Sequence, residues 1–281
     1  MDYQDLRQQI IPRGPVIDIH VHPVGDMAYY GISSPAEDAQ RMVEAGRRVG
    51  IVKFCVSSLG PGYPLDPDMD LCRRANEYVL RLRDQAPEAI LPFCYVILEQ
   101  VDEAIREIER CVGANQMVGI KLWVSRRAAD PALDPVMELA GRYGIPVLQH
   151  AWLKTTGNLP GESTPADVAH LARRHPGVLI IMAHLNGANP RGLEAVRNCP
   201  NVIVDTSGGD PESGMVELAA ARLGPERVIF GSDAPGRHFG VSLAKVLGAQ
   251  VSAAEKQAIC WDNAVRLLPP WTGVGRQEAN Q

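Results

Sequence analysis

Eight short runs rich in β-branched residues, at 16–22, 51–56, 90–97, 117–123, 145–150, 178–184, 201–206 and 227–232, alternate with helical stretches along nearly the whole chain. No other feature limits the fold so much, because strand–helix alternation packs either as a closed (β/α)8 barrel or as an open doubly wound sheet. The helices are legible from their ends and their period. Ser34 is placed to cap a helix with Pro35 at its first position, running to about 49. Val101, Ala104, Ile105, Ile108 and Val112 recur at helical spacing. Gly144 is suited to close a helix over 133–143, and further helices are expected at about 164–175, 241–247 and 253–268. No linker divides the strands, so a single domain is expected over 1–281, with a core of about 16–268 and a loosely held tail at 269–281.

The open sheet lacks support at one point. No Gly-x-Gly-x-x-Gly follows the first strand, which leaves a dinucleotide without its phosphate cradle. The placement of reactive side chains favours the barrel. In the first strand, alternation sets Asp18, His20 and His22 on one face and Ile17, Ile19 and Val21 on the other. Neutral imidazole is the commonest protein metal ligand, so a His pair at spacing two suits a divalent ion, although alone it is as readily an accident. Lys121 lies near the end of strand four, His150 ends strand five, His184 ends strand six and Asp233 follows strand eight. Barrel closure makes strands one and eight neighbours and turns all these groups to one mouth, where barrel enzymes keep their active sites.

Several segments resemble the amidohydrolase superfamily, in its amidohydrolase-related branch (amidohydrolase family 2) of metal-dependent hydrolases and decarboxylases. They are Ile17-Asp18-Ile19-His20-Val21-His22-Pro23, Gly119-Ile120-Lys121-Leu122, Val147-Leu148-Gln149-His150, Met182-Ala183-His184-Leu185-Asn186-Gly187, Phe230-Gly231-Ser232-Asp233-Ala234-Pro235 and Asp262-Asn263-Ala264-Val265-Arg266-Leu267-Leu268. The resemblance implies a distorted (β/α)8 TIM barrel of the metallo-dependent hydrolase type. It makes His20, His22, His150 and Asp233 the ligands of a single divalent ion, zinc by preference, with His184 beside the substrate. Lys121 matches a lysine that binuclear members carboxylate to bridge two ions, with the strand-five and strand-six histidines on the second ion. One ion is the favoured reading, and two follow if Lys121 is carboxylated.

The chemistry so implied is metal-dependent hydrolysis of an amide, ester or lactone of a small, carboxylate-bearing molecule. Zinc brings the pKa of a bound water to about 7. Asp233 is then placed to accept its proton and pass it on, while His184 or the ion polarises the carbonyl. Nonoxidative decarboxylation of an aromatic or unsaturated acid is the leading alternative, and a metal- or ligand-binding barrel without catalysis is a third. The strand-four lysine and the short chain favour hydrolysis.

Arg237 and His238 after strand eight, and Trp152, Lys154, Arg126 and Arg127 after other strands, stand where an anionic substrate would arrive. Asp18 is placed to orient a ligand from behind. His170 and His175 read as exposed helix histidines, and Gly208-Gly209-Asp210 as a turn whose backbone can approach substrate. A formal net charge of -5 without a long basic run argues against nucleic-acid binding. No apolar run approaches the roughly 20 residues of a membrane span, and Met1-Asp2-Tyr3-Gln4-Asp5 lacks the cationic start of a signal peptide. A cytoplasmic protein acting on a small molecule is therefore expected, with a homo-oligomer compatible. The six cysteines contain no Cys-x-x-Cys pair, which suggests neither a disulfide framework nor a zinc knuckle. Cys55 and Cys94 read as reduced, buried thiols.

Overall fold

The structure, a computed structural model, describes residues 12, 14–209 and 213–275, with residue 186 described by its backbone alone. The starting segment Met1-Asp2-Tyr3-Gln4-Asp5, Asp210 of the turn after strand seven, and residues 276–281 of the tail lie outside the described residues.

Eight parallel strands follow one another in order round a single sheet: β1 Val16–Val21, β2 Ile51–Val56, β3 Ile90–Tyr95, β4 Gly119–Leu122, β5 Val147–Gln149, β6 Ile180–Met182, β7 Val202–Asp205 and β8 Val228–Ile229. Main-chain bonds bring β1 back to the segment after β8. Ile19 N donates to Phe230 O at 3.1 Å, Asp233 N to His20 O at 2.8 Å and His22 N to Ala234 O at 2.7 Å. The architecture is the distorted (β/α)8 barrel, and the same bonds that close it draw Asp233 to the two histidines.

The helices on the outside are α1 Pro35–Arg47, α2 Met69–Gln85, α3 Val101–Ile108, α4 Asp134–Tyr143, α5 Pro165–Arg174, α6 Leu185–Val196, α7 Met215–Leu223, α8 Phe239–Leu247, α9 Ala253–Gln257 and α10 Asn263–Leu267. Their ends follow from local chemistry. Ser34 accepts the amide hydrogen of Glu37 at 3.2 Å ahead of Pro35, which satisfies one of the donors a helix start leaves open. Thr164 and Asp167 form a reciprocal capping box on α5. Gly144 ends α4 at φ 63°, a conformation that strains any residue with a Cβ.

Two helices expected to be continuous are broken by π turns, at Glu109–Ala114 and Ala258–Asp262. Each break coincides with a main-chain bond to the strand region. Cys111 O accepts from Met117 N at 2.9 Å and Ile259 O from Phe230 N at 2.9 Å. The tail also departs from expectation: Pro270–Thr272 form a 3-10 turn and Val274 packs against the floor of the barrel.

The first strand does not keep the simple alternation expected of it. Its register against β2 shifts between Asp18 and Val21. Ile17 and Ile19 share the barrel interior with Cys55, Leu91, Phe93, Leu148, Ile181, Ile203 and Ile229, whereas Val21 packs in the outer layer, and Trp261, Ala264, Leu267 and Leu268 plug the interior from below. Outside, a larger apolar layer packs strands on helices. All six cysteines are free and buried, as small hydrophobes are. Among the described residues no helix is long and apolar enough to cross a membrane.

Candidate active site

His20 and His22 reach the mouth with their rings already oriented. Nδ1 of His22 lies 2.6 Å from the Ser57 carbonyl oxygen, which can only accept, so that nitrogen carries the hydrogen and Nε2 keeps its lone pair. Nδ1 of His20 is 2.9 Å from Asp205 Oδ2 and 3.2 Å from Ser207 Oγ, with the same consequence. Asp205 is fully buried, and burial alone would raise its pKa. The neighbouring His20 and His184 and the bonds from His20 and Ser207 outweigh that and hold it well below the usual carboxylate range.

Asp233 completes the group. Its Oδ1 is 3.4 Å from His22 Nε2 and 3.7 Å from His20 Nε2, and one ligand atom from each of the three lies within 4.8 Å of the others. Burial pushes the Asp233 carboxyl up, while the His22 hydrogen bond and the three nearby histidines pull it further down, so it stays ionised. Asp233 sits at φ 61° and His184 at φ 72°. That left-handed backbone takes both residues off the ladder, and β8 and β6 end at Ile229 and Met182, short of the expected 232 and 184. Asp18 helps fix this corner: its Oδ1 accepts from Ser232 N at 2.9 Å and His20 N at 3.2 Å.

Two imidazoles and a carboxylate with orienting partners behind the rings fit a divalent cation. Lys121 bears on the fit. Its Nζ is fully buried 2.8 Å from His20 Nε2, and burial lowers its pKa to about 8 against the opposing pull of Asp233 and Asp205. A positive charge therefore already stands beside His20, favoured by the two acids that would favour an ion. A second group, His20, His184 and Asp205, also has ligand-distance spacing, but its atoms Nδ1 of His20 and Oδ2 of Asp205 are spent on each other.

His150 stands one step away. Its Nδ1 is 2.9 Å from His184 Nε2 and its Nε2 is 2.9 Å from Glu162 Oε1, and it belongs to neither ligand-distance group. His184 in turn places Nδ1 3.0 Å from Ser207 Oγ. Burial lowers the pKa of both histidines, which keeps them neutral. Glu162 is itself buried and binds Lys154 Nζ at 2.8 and 2.9 Å. Trp152 lies 4.9 Å from the His184 ring, and on the far side Tyr63 lies 5.4 Å from the His22 ring.

Of the residues expected at the site, His20, His22, Lys121 and Asp233 meet at one point, His184 adjoins them through Ser207, His150 and Trp152 border His184, and Lys154 stands beyond them on Glu162. Three of the remainder are engaged elsewhere. Arg126 binds Asp130 at 3.0 Å, Arg127 binds Asp167 at 2.8 Å, and His238 caps α8 by accepting from Gly240 N at 3.1 Å. Arg237 is exposed in the loop after Asp233. His170 is exposed as expected, but His175 is not, being largely buried and 2.7 Å from Asp134 Oδ1. Asp205, Ser207, Glu162 and Tyr63 escaped the sequence. Asp205 alone gave a signal, since it ends a strand as the histidines do.

Barrel and cluster together define a metal-dependent enzyme of the amidohydrolase type. Residues 17–269 match the model of the amidohydrolase family, and the chain belongs to that family. Solved structures share the fold across nearly all of it. The 2,6-dihydroxybenzoate decarboxylase from Rhizobium superposes with a TM-score of 0.70 at 17% identity, covering 90% of this chain and 98% of that one. For the 4-oxalomesaconate hydratase from Rhodopseudomonas palustris the values are 0.68 and 17%, covering 94% and 98%. A dihydroxybenzoic acid decarboxylase from Polaromonas, solved with manganese and the inhibitor 2-nitroresorcinol, gives 0.71 and 17%, covering 90% and 96%. At such identities the likeness is one of fold. Translation initiation factor IF-2 of Prochlorococcus marinus (strain MIT 9303) is 30% identical over 184 residues, which is 64% of this chain but 15% of that protein's length.

Proposed function

We propose that the protein is a hydrolase that cleaves an amide, ester or lactone of a small, carboxylate-bearing molecule, with zinc held by His20, His22 and Asp233. The observation that carries this reading is the position of Asp233. Its side chain is 21% exposed, against 0% for His20 and 3% for His22, so the acid of the cluster is the member that meets incoming water and substrate. A divalent ion there supplies Lewis-acid polarisation of a carbonyl and acidifies water. Zinc is favoured over harder ions because two of the three ligands are imidazoles.

The protein's own groups supply the rest. Asp233, ionised and facing the mouth, accepts a proton from water and returns it to the leaving group. His184 holds His150 with Nε2 and Ser207 with Nδ1, and it serves the oxygen on which negative charge develops once substrate replaces His150 at Nε2. Lys154 is already neutralised by Glu162, which leaves exposed Arg237, four residues beyond Asp233, to meet the substrate carboxylate.

The rival reading, decarboxylation of an aromatic or unsaturated acid, draws on Tyr63 and Trp152, whose rings flank the two sides of the histidine cluster. Chain length does not count against it, since the decarboxylase from Rhizobium is covered over 98% of its length. Turnover in oxygen-18 water separates the two. Label in the product acid supports hydrolysis; release of carbon dioxide with no label in the organic product overturns it in favour of the lyase.

A further inference from the structure

Tyr63 combines an unusual backbone with an unpartnered hydroxyl. Its backbone lies at φ 52°, in the left-handed region that a residue with a Cβ seldom enters. Its phenol oxygen is buried and has no hydrogen-bond partner among the described residues, whereas buried tyrosine hydroxyls ordinarily find one. Residues held in such states gather at ligand sites, where the surrounding structure enforces them.

The enforcement is visible. Asp26, buried just after β1, accepts from Ser58 Oγ at 2.8 Å and Leu59 N at 3.1 Å, and its carbonyl accepts from Gly62 N at 2.8 Å. Tyr63 N donates to Gly60 O at 3.1 Å. The loop after β2 is thus pinned up to the tyrosine's own amide. The ring stands 5.4 Å from His22 at 57° and 6.2 Å from Trp123 at 67°, which puts it at the rim of the ion cluster. Trp152 follows β5, three strands round the barrel from β2, so the two aromatic residues face the mouth from different sides.

We infer that Tyr63 is a substrate-recognition residue, its hydroxyl donating to a carboxylate oxygen of the substrate while Trp123 supports its ring. The inference rests on the reading of the His20–His22–Asp233 cluster as the catalytic centre. A phenol at this place suits an anionic oxygen because it is a neutral donor and brings no competing acceptor charge. The bond gives the buried hydroxyl the partner it lacks among the described residues.

Benzoate serves as the probe, a small planar carboxylate, with binding followed by titration calorimetry on the metal-loaded protein. Tyr63→Phe is expected to weaken benzoate binding about tenfold or more, the loss of one charge-assisted hydrogen bond, with metal content unchanged. Its melting temperature is expected to stay level or rise, since an unpartnered buried hydroxyl adds nothing to stability. Unchanged benzoate affinity in the variant, no benzoate binding by the wild type, or a lowered melting temperature would each overturn the assignment. Metal content of the wild type, measured on the same samples, reports separately on the ion site, whose failure leaves the cluster reading refuted whatever Tyr63 does.

Discussion

His20 and Asp205 are 185 residues apart in the chain, yet Nδ1 of one lies 2.9 Å from Oδ2 of the other and both side chains are wholly buried. The carboxylate fixes which ring nitrogen carries the hydrogen, and also accepts the main-chain hydrogens of His184 and Ser207, each at 2.9 Å. Partners of this kind behind a metal-binding histidine typically contribute 10–100-fold in affinity. Asp205→Asn is therefore expected to weaken metal binding by about 10–100-fold, measured by competition with a chelator. Unaltered affinity would show that the ring is oriented without the acid.

Asp233 has a different expected signature, because it belongs both to the ion group and to the proton path. Asp233→Asn should retain metal in part and lose turnover by about two to four orders of magnitude, the usual range for a positioned general base. Metal analysis and a hydrolysis assay on the same preparation check this, and an active variant removes the proposed role.

Lys121 decides the ion count. An ion on His20 Nε2 must displace the Lys121 Nζ that lies 2.8 Å from it, and with an unmodified lysine the wild type and Lys121→Met should each hold one equivalent by mass spectrometry of the metal. Two equivalents in the wild type and one in the variant would identify a carboxylated, bridging lysine.

Glu162 gives a pH-dependent prediction. Burial tends to raise its pKa, but hydrogen bonds from His150, Lys154 and Leu159 N prevail and lower it from 4.5 to about 2. A carboxylate depressed in the folded state stabilises it above the unfolded pKa, and the contribution fades as pH falls through the folded value. The difference in urea midpoint between wild type and Glu162→Gln should accordingly be full at neutral pH and shrink between about pH 4.5 and 2. A difference that grows on acidification contradicts the assignment.

Gly208 is the remaining test of geometry. It lies at φ 78°, and a Cβ there would fall 2.5 Å from the Cβ of His184. Gly208→Ala combines backbone strain with overpacking, about 1–3 kcal/mol in such cases, and should displace His184. Lowered denaturation midpoint together with lowered kcat is the expected outcome; wild-type kinetics would mean the loop yields freely.

Much of this was legible beforehand, for definite reasons. Strand alternation, the capping residues and the His20-x-His22 pair are short-range patterns, and side-chain chemistry at strand ends singled out His150, His184 and Asp233, of which Asp233 comes within ligand distance of His20 and His22 and His150 does not. Other expectations failed where long-range packing intervened. Val21 packs in the outer layer, parted from Ile17 and Ile19 where the register of β1 shifts. His175 is drawn down onto Asp134, 41 residues away.

The sequence by itself determined that the chain alternates strand and helix eight times and carries metal-binding chemistry where strands end. Period and residue type encode both. Only the tertiary structure decided which groups meet: barrel closure sets Asp233 against His20 and His22, Asp205 behind His20, Glu162 behind His150 and Tyr63 over His22. Those relations depend on contacts between distant strands and loops, for which local spacing holds no signal.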